Sequence, residues 1–347
     1  MTTEKSPCNR IRELRTALGL TQASLAKLAG ISRTAVTAIE GDRLVPSVAA
    51  AIAIAETLGS TVEELFGRRS HSSSLEHWAW DSPDNEHYWR AEVAGRTILY
   101  PMSSSPMLTP LPDSLQEDSG RASGDTLVMA CCDPAAGYLA SEFAAVTGLR
   151  LLTLPRASRQ AVEMLQQGLV HIAGIHLATS AAPQENEKAA REILSDRFEM
   201  IRLARWQEGV ALAPATALQS LRSIRNAKLN WIGRERGSGA RECQDRFLEH
   251  RQEPVCTSRH HRGITEAIQS GWADAGICLQ LVSVEAGLRF LPIQEEYYDV
   301  CFPSFMKDDR RIKAFLSVVR SKSYRRLLGE LPGYDSSETG DTCVNSP

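Results

Sequence analysis

From residue 126 to about residue 330, short apolar runs alternate with amphipathic stretches of helical period. No other feature constrains the fold as tightly, because strands that alternate with helices return side by side in a mainly parallel sheet. "TLVMACC" reads as a strand ending at Cys131 or Cys132, and "DPAAGYLASEFAAVTG" as the next helix, with Asp133 as N-cap and Pro134 in its first turn. "LRLLTLP" is a second strand, Ser158 a cap for "RQAVEMLQQG", and "VHIAGIHL" a third strand. "LNWIG" followed by "ARECQDRFLEH" repeats the unit, which makes "RERGSG" a strand-to-helix turn. In such sheets the functional loops lie at the carboxyl ends of the strands.

That turn has the chemistry of an anion site. Its glycines, Gly239 among them, let backbone approach a ligand, and the N–H groups opening the helix point to the same place. Ser238 adds a hydroxyl, while Arg236 and Arg241 add charge-assisted donors. By the same strand-end logic His176, Cys132, Asp133 and Ser158 become candidate ligand contacts. Asp274 in "GWADAG" is expected to hold its turn, and one of Tyr297 and Tyr298 to lean over the ligand. Adjacent histidines rarely coordinate one ion, so His260 and His261 are expected at the surface, with no metal and no cofactor. Strand alternation sends Cys131 and Cys132 to opposite faces, one into the core and one into a loop.

Residues 9–67 have a different texture. Ile11, Leu14 and Leu18 form a helical stripe that Gly19 stops; Thr21 caps "QASLAKLA", which ends at Gly30. Ser32 caps "RTAVTAIE", with Val36 and Ile39 inward and Arg33, Thr34 and Thr37 outward. Two helices joined by a short glycine-containing turn form the unit that reads DNA.

Between these regions, residues 78–101 hold three of the six tryptophans, and Trp89, Ala91, Val93 and Ile98 to Tyr100 fit a small hairpin over Gly95. Residues 70–125 are read as connector and linker, flexible from 102, and residues 331–347 as a disordered tail. A net charge of -3 over 347 residues argues against a chain that coats nucleic acid along its length. Eight cysteines without a C-x-x-C pair fit reduced thiols. The polar N-terminus and a longest apolar run of only eight residues, Val48 to Ala55, point to a cytoplasmic protein with no membrane partner.

"LRTALGLTQASLAKLAGISRTAVTAIEGDRLVPS" resembles the Cro/repressor (Xre-type) helix-turn-helix. The resemblance implies base-facing Arg33, Thr34 and Ala38, phosphate contacts from Gln22, Thr37 and Arg43, a double-stranded DNA operator and a homodimer. Arg33 would read guanine and Thr34 a thymine methyl. "CCDPAAG", "VHIAGIHL", "RERGSGAR", "AIQSGWADAGIC" and "EEYYDVCFP" come in the order of type II, molybdate-binding-like periplasmic binding proteins. That resemblance implies two α/β lobes, one of about 126–208 plus 292–330 and one of about 209–291, closing on molybdate or a similar oxyanion. Its cleft would draw on Cys132, Asp133, Ser158, His176, Arg236, Ser238, Gly239, Arg241 and Tyr298. Together the two resemblances imply a non-enzymatic, ligand-responsive transcription regulator sensing a small anionic molecule. The alternatives are a repressor whose second domain only oligomerises, and an enzyme on the binding-protein fold.

Overall fold

The computed structural model describes residues 9, 11–41, 43–60, 62–66, 76–81, 87–102, 112–115, 123–249 and 252–343. The chain divides into two compact units, Met1–Ser74 and Leu75–Pro347.

The first unit is helical: α1 (Ile11–Ala17), α2 (Gln22–Leu28), α3 (Arg33–Glu40), α4 (Val48–Thr57) and α5 (Val62–Phe66). Thr21, Ser32 and Ser47 cap α2, α3 and α4, each accepting a backbone N–H three residues on. Gly30, at φ 66°, makes the left-handed turn between α2 and α3. Ile11, Leu25, Val36, Ile39, Ile54 and Leu65 close the core. Leu18 is not part of it: it falls in the turn after α1 and is 55% exposed. Glu40, buried at the end of α3, accepts from Arg15 Nε at 2.6 Å and from Gln22 Nε2 at 2.8 Å, which ties three helices together.

The second unit begins with a three-stranded sheet of β1 (His77–Trp78), β2 (Tyr88–Val93) and β3 (Arg96–Pro101), in the order β1-β3-β2. Ala94 and Gly95 both have positive φ, 49° and 73°, as a two-residue primed hairpin turn requires. Trp89, Ala91, Val93, Ile98 and Tyr100 face the large sheet and share a core with Val128, Leu152 and Val162. His171 fastens the two sheets. Its Nδ1 accepts from Val128 N at 2.9 Å, so Nε2 carries the hydrogen and donates to Glu92 O at 2.9 Å. Of the expected flexible linker, Asp113 is described in a buried ion pair with Arg150 at 2.6 Å; residues 103–111 and 116–122 lie outside the described residues.

The large sheet follows in chain order as β4 (Thr126–Cys131), α6 (Ala136–Thr147), β5 (Arg150–Pro155), α7 (Ser158–Gln166), β6 (Ile172–Thr179) and α8 (Glu185–Leu194). The chain continues through β7 (Phe198–Leu212), α9 (Leu221–Asn226), β8 (Trp231–Arg234), α10 (Gly239–Phe247), β9 (Cys256–Ser258), α11 (His261–Gln269), β10 (Ala275–Leu279) and α12 (Gln280–Glu285). It ends with β11 (Arg289–Pro303), α13 (Arg310–Val319), α14 (Lys322–Gly329) and β12 (Tyr334–Asp335). The strand order is β5-β4-β6-β11-β7-β10-β8-β9, with β12 on β7. The outer strands are parallel, as the alternation predicts, whereas β11 runs antiparallel to β6 and β7, and β7 antiparallel to β10. The sheet is therefore mixed. β7 and β11, 15 residues each, are the two crossing segments, and they pair with each other through both halves of the sheet.

Residues 331–343 correct the expectation of a disordered tail. Tyr334 pairs with Trp206 in β12, the Thr339 hydroxyl donates to Leu203 O at 2.7 Å, and Glu338 holds Arg202 at 2.7 Å. The segment is polar because it binds backbone and arginines along an open side of β7, and polarity alone imitates disorder. Residues 344–347 lie outside the described residues.

Candidate functional site

His176, near the carboxyl end of β6, is fully buried and stands where the two halves of the sheet meet. Its Nδ1 lies 3.0 Å from Glu296 Oε2 on β11, and the same oxygen accepts from Trp206 Nε1 on β7 at 2.9 Å. The imidazole packs edge-on against Trp206, with ring centres 5.3 Å apart, and Trp206 stacks on Tyr298 at 4.5 Å. Cys132 lies just past β4; its sulfur, a ring nitrogen of His176 and a ring nitrogen of His261 fall within 4.8 Å of one another. His261 opens α11, so this cluster takes residues from both halves.

Helix amino ends surround His176. The Ser158 hydroxyl, at the start of α7, accepts from His176 N at 3.2 Å. Gly239, the first residue of α10, comes so close that a Cβ there would stand 2.7 Å from His176 O. His261 brings α11 to 5.9 Å, ring centre to ring centre. Three helix amino ends on one point make a field that favours negative charge.

Titratable groups in the cluster divide unevenly. Burial would lower His176, but Cys132 and Glu296 beside it hold it well above the usual histidine range. Burial would raise Glu296, yet His176 and the Trp206 indole keep it below the usual carboxylate range. Burial, reinforced by Glu296, pushes its neighbour Glu208 well up. Burial, Arg234 and His176 push His261 well down, which leaves a neutral ring. Asp133 is pushed up to about 6 by burial, although Tyr334 Oη at 2.6 Å and Ala135 N at 2.8 Å both donate to it. Among the described residues, His176 Nε2, both His261 ring nitrogens, Glu208 Oε1, Arg234 Nη1 and Tyr298 Oη are buried without a hydrogen-bond partner. Native interiors leave few such groups, and a cluster of them points to a ligand or water.

The residues expected at the site separate into three groups. Cys132, Asp133, Ser158, His176, Gly239 and Tyr298 are buried around this cluster. Asp133 and Ser158 do not cap helices as expected: α6 starts at Ala136 with Ala135 as N-cap, and Ser158 is itself the first residue of α7. Ser238 is buried but caps α10, accepting from Arg241 N at 3.3 Å and donating to Glu235 O at 2.8 Å. Arg236 is exposed, and Arg241 is turned to Asp245 and Glu253 at 2.8 Å each, so neither guanidinium joins the cluster. Asp274 holds its turn as expected, accepting from Asn230 N at 2.8 Å. His260 caps α11 through Nδ1, 2.9 Å from Gly263 N, while His261 is buried, contrary to the expected surface placement. Side-chain alternation at the helix start separates the two rings.

Arg234, Glu208, Glu296, Trp206 and His261 were not foreseen. Arg234, 1% exposed, donates to Glu235 and to Arg259 O, each at 3.0 Å. A usable signal was present in the crossing segments, where "WQEG" and "IQEEYY" put carboxylates two residues apart from aromatic or apolar neighbours in strands. A charge inside a buried strand is informative because it must be paired.

In the helical unit Arg33, Thr34 and Arg43 are exposed, and Thr37 and Ala38 are half-buried. Gln22 is drawn inward: it donates to Glu40 and accepts from the Thr37 hydroxyl at 3.2 Å.

Residues 140–320 match a family model described as a PBP superfamily domain, and since this is more than half of the chain, the protein belongs to that superfamily. Residues 11–65 match a helix-turn-helix family model, consistent with the Xre-type pattern. The uncharacterised protein YvgK of Bacillus subtilis (strain 168) is 27% identical over 192 residues, which cover 52% of this chain and 62% of YvgK. The chain thus spans less than two thirds of that relative. Solved structures of similar fold include the substrate-binding domain of a molybdenum transporter from Clostridium difficile, 17% identical over 60% of this chain and 98% of that one, with a TM-score of 0.42. A phosphate-bound substrate-binding protein from Clostridium perfringens is 11% identical over 60% of this chain and 99% of that one, with a TM-score of 0.46. No helix among the described residues is long and apolar enough to cross a membrane.

Proposed function

We propose that this protein is a ligand-responsive transcription regulator, in which a small anionic effector enters the buried cluster around His176 and alters the binding of a DNA operator by α2 and α3. The carrying observation is the convergence of unpartnered polar groups and three helix amino ends on one buried histidine. Exposed Arg33 and Thr34 at the start of α3 suit base contacts, and Arg43 suits a phosphate. Leu44, Val45, Val48 and Ile52, 45–90% exposed along the entry to α4, support a homodimer through this unit. Arg234 Nη1 takes the part that Arg236 and Arg241 were expected to play.

Thermal denaturation with a panel of molybdate, phosphate, small carboxylates and amines tests the proposal. An anion should raise the melting temperature of the wild-type chain and leave His176→Asn unmoved. Stabilisation by amines alone would remove the anionic effector, and equal stabilisation of both proteins by an anion would remove its placement at His176.

One observation favours a second reading. Cys132, His176 and Glu296 stand in the order nucleophile, base and orienting carboxylate, which suits acyl transfer on the binding-protein fold. Rapid alkylation of Cys132 at neutral pH, slowed in His176→Asn, would support that reading; a thiol equally inert in both proteins would remove it.

A further inference from the structure

We infer that Cys132 Sγ, His176 Nε2 and a ring nitrogen of His261 form a three-ligand site for a first-row transition cation of the zinc class, held between the two halves of the sheet. The three donor atoms already lie within 4.8 Å of one another. In a tetrahedral zinc site, bond lengths of about 2.0–2.3 Å put donors roughly 3.5 Å apart, so small side-chain rotations close the set. Each donor stands on a rigid element: Cys132 just past β4, His176 on β6 and His261 at the first turn of α11.

The surroundings fit ligation better than they fit a satisfied core. His176 Nδ1 is held by Glu296 at 3.0 Å, the outer carboxylate that fixes a ligating histidine and aims its other nitrogen inward. That other nitrogen, Nε2, has no hydrogen-bond partner, and neither has either nitrogen of His261, although both rings are at most 1% exposed. An imidazole buried with both nitrogens unpaired is costly, and a bound cation removes the cost. Arg234 donates from Nη2 to Glu235 at 3.0 Å.

Three protein donors leave one position of a tetrahedral ion open, and the field of the helix ends suits an anion there. This step deepens the function proposed above and rests on it for the fourth ligand only. The three protein ligands stand independently of the effector's identity. Because His261 comes from one half of the sheet and Cys132 and His176 from the other, binding of the ion would latch the halves together.

The test uses the full-length chain, stripped with EDTA and titrated with Co²⁺ as a spectroscopic probe. One equivalent should give intense tetrahedral ligand-field bands and a near-ultraviolet thiolate-to-cobalt charge-transfer band. Cys132→Ser should abolish the charge-transfer band, and His261→Asn should weaken binding at least tenfold, with circular dichroism confirming that both fold. Cys256→Ser and Cys343→Ser should leave the spectrum unchanged. A pale octahedral spectrum, or a charge-transfer band that survives Cys132→Ser, overturns the site. The two proposals fail separately: cobalt bands that persist when no anion stabilises the chain uphold the metal site and remove the anionic effector. Bands that shift when an anion is added uphold both.

Discussion

The Tyr334 hydroxyl donates to Asp133 at 2.6 Å, joining the last strand to the loop after β4 across 201 residues of sequence. Its ring also lies edge-on to Trp206 at 5.6 Å, so the C-terminal segment is part of the wall behind His176.

Tyr334→Phe should therefore destabilise the second unit by about 1–3 kcal/mol, because it leaves a buried carboxyl oxygen with one donor fewer. Urea denaturation followed by tryptophan fluorescence measures the loss, and an unchanged midpoint would show that the segment adds nothing to the wall.

Gly239 reports on the approach of the two halves. A Cβ at this position would stand 2.7 Å from His176 O and 3.0 Å from its ring, and backbone on one side cannot yield cheaply. Gly239→Ala should lower the melting temperature and weaken effector binding together, whereas Gly237→Ala, where a Cβ meets nothing within 4 Å, should affect only its strained turn of φ 84°. Calorimetry of the two variants side by side makes the comparison.

His171 sets an acid limit. Burial pushes it down to about 3 from 6.5, so the unfolded chain takes up a proton that the native ring refuses. The depressed value means that its stabilisation is complete above pH 6.5 and is lost as pH falls towards 3, by at most about 1.4 kcal/mol per pH unit. Urea midpoints between pH 7 and pH 4.5 should fall in the wild type, and His171→Gln should remove this component of the slope.

Arg33 is exposed at the first position of α3, and among the described residues only its backbone carbonyl is engaged, by the Thr37 hydroxyl at 3.0 Å. Arg33→Ala should cost about 1–3 kcal/mol in binding a duplex selected from a random pool, with an unchanged melting temperature. Fluorescence anisotropy gives the first quantity. Retained affinity would move base reading away from α3.

Local rules make much of the architecture legible in the sequence. Capped helices at Thr21 and Ser32, a hairpin over Gly95 and the alternation after residue 126 each follow from a short stretch of chain. The strand-end rule puts Cys132 just past β4 and His176 towards the end of β6, where the structure has them, for the same reason. What stayed hidden depends on partners distant in sequence. Nothing near Arg241 announces that its guanidinium turns to Glu253, and Glu296 meets His176 across 120 residues. Likewise the polar stretch after residue 330 shows its order only against β7, whose open side supplies the bonds.

In the proposed function, occupancy of the cluster at His176 governs DNA affinity. It is tested most directly by measuring the dissociation constant of the full-length chain for its selected duplex before and after removal of whatever small ligand survives native purification, with mass spectrometry confirming the loss. A change of at least about fivefold, in either direction, is the predicted result. Equal affinities, with a ligand demonstrably gained and lost, would contradict the account.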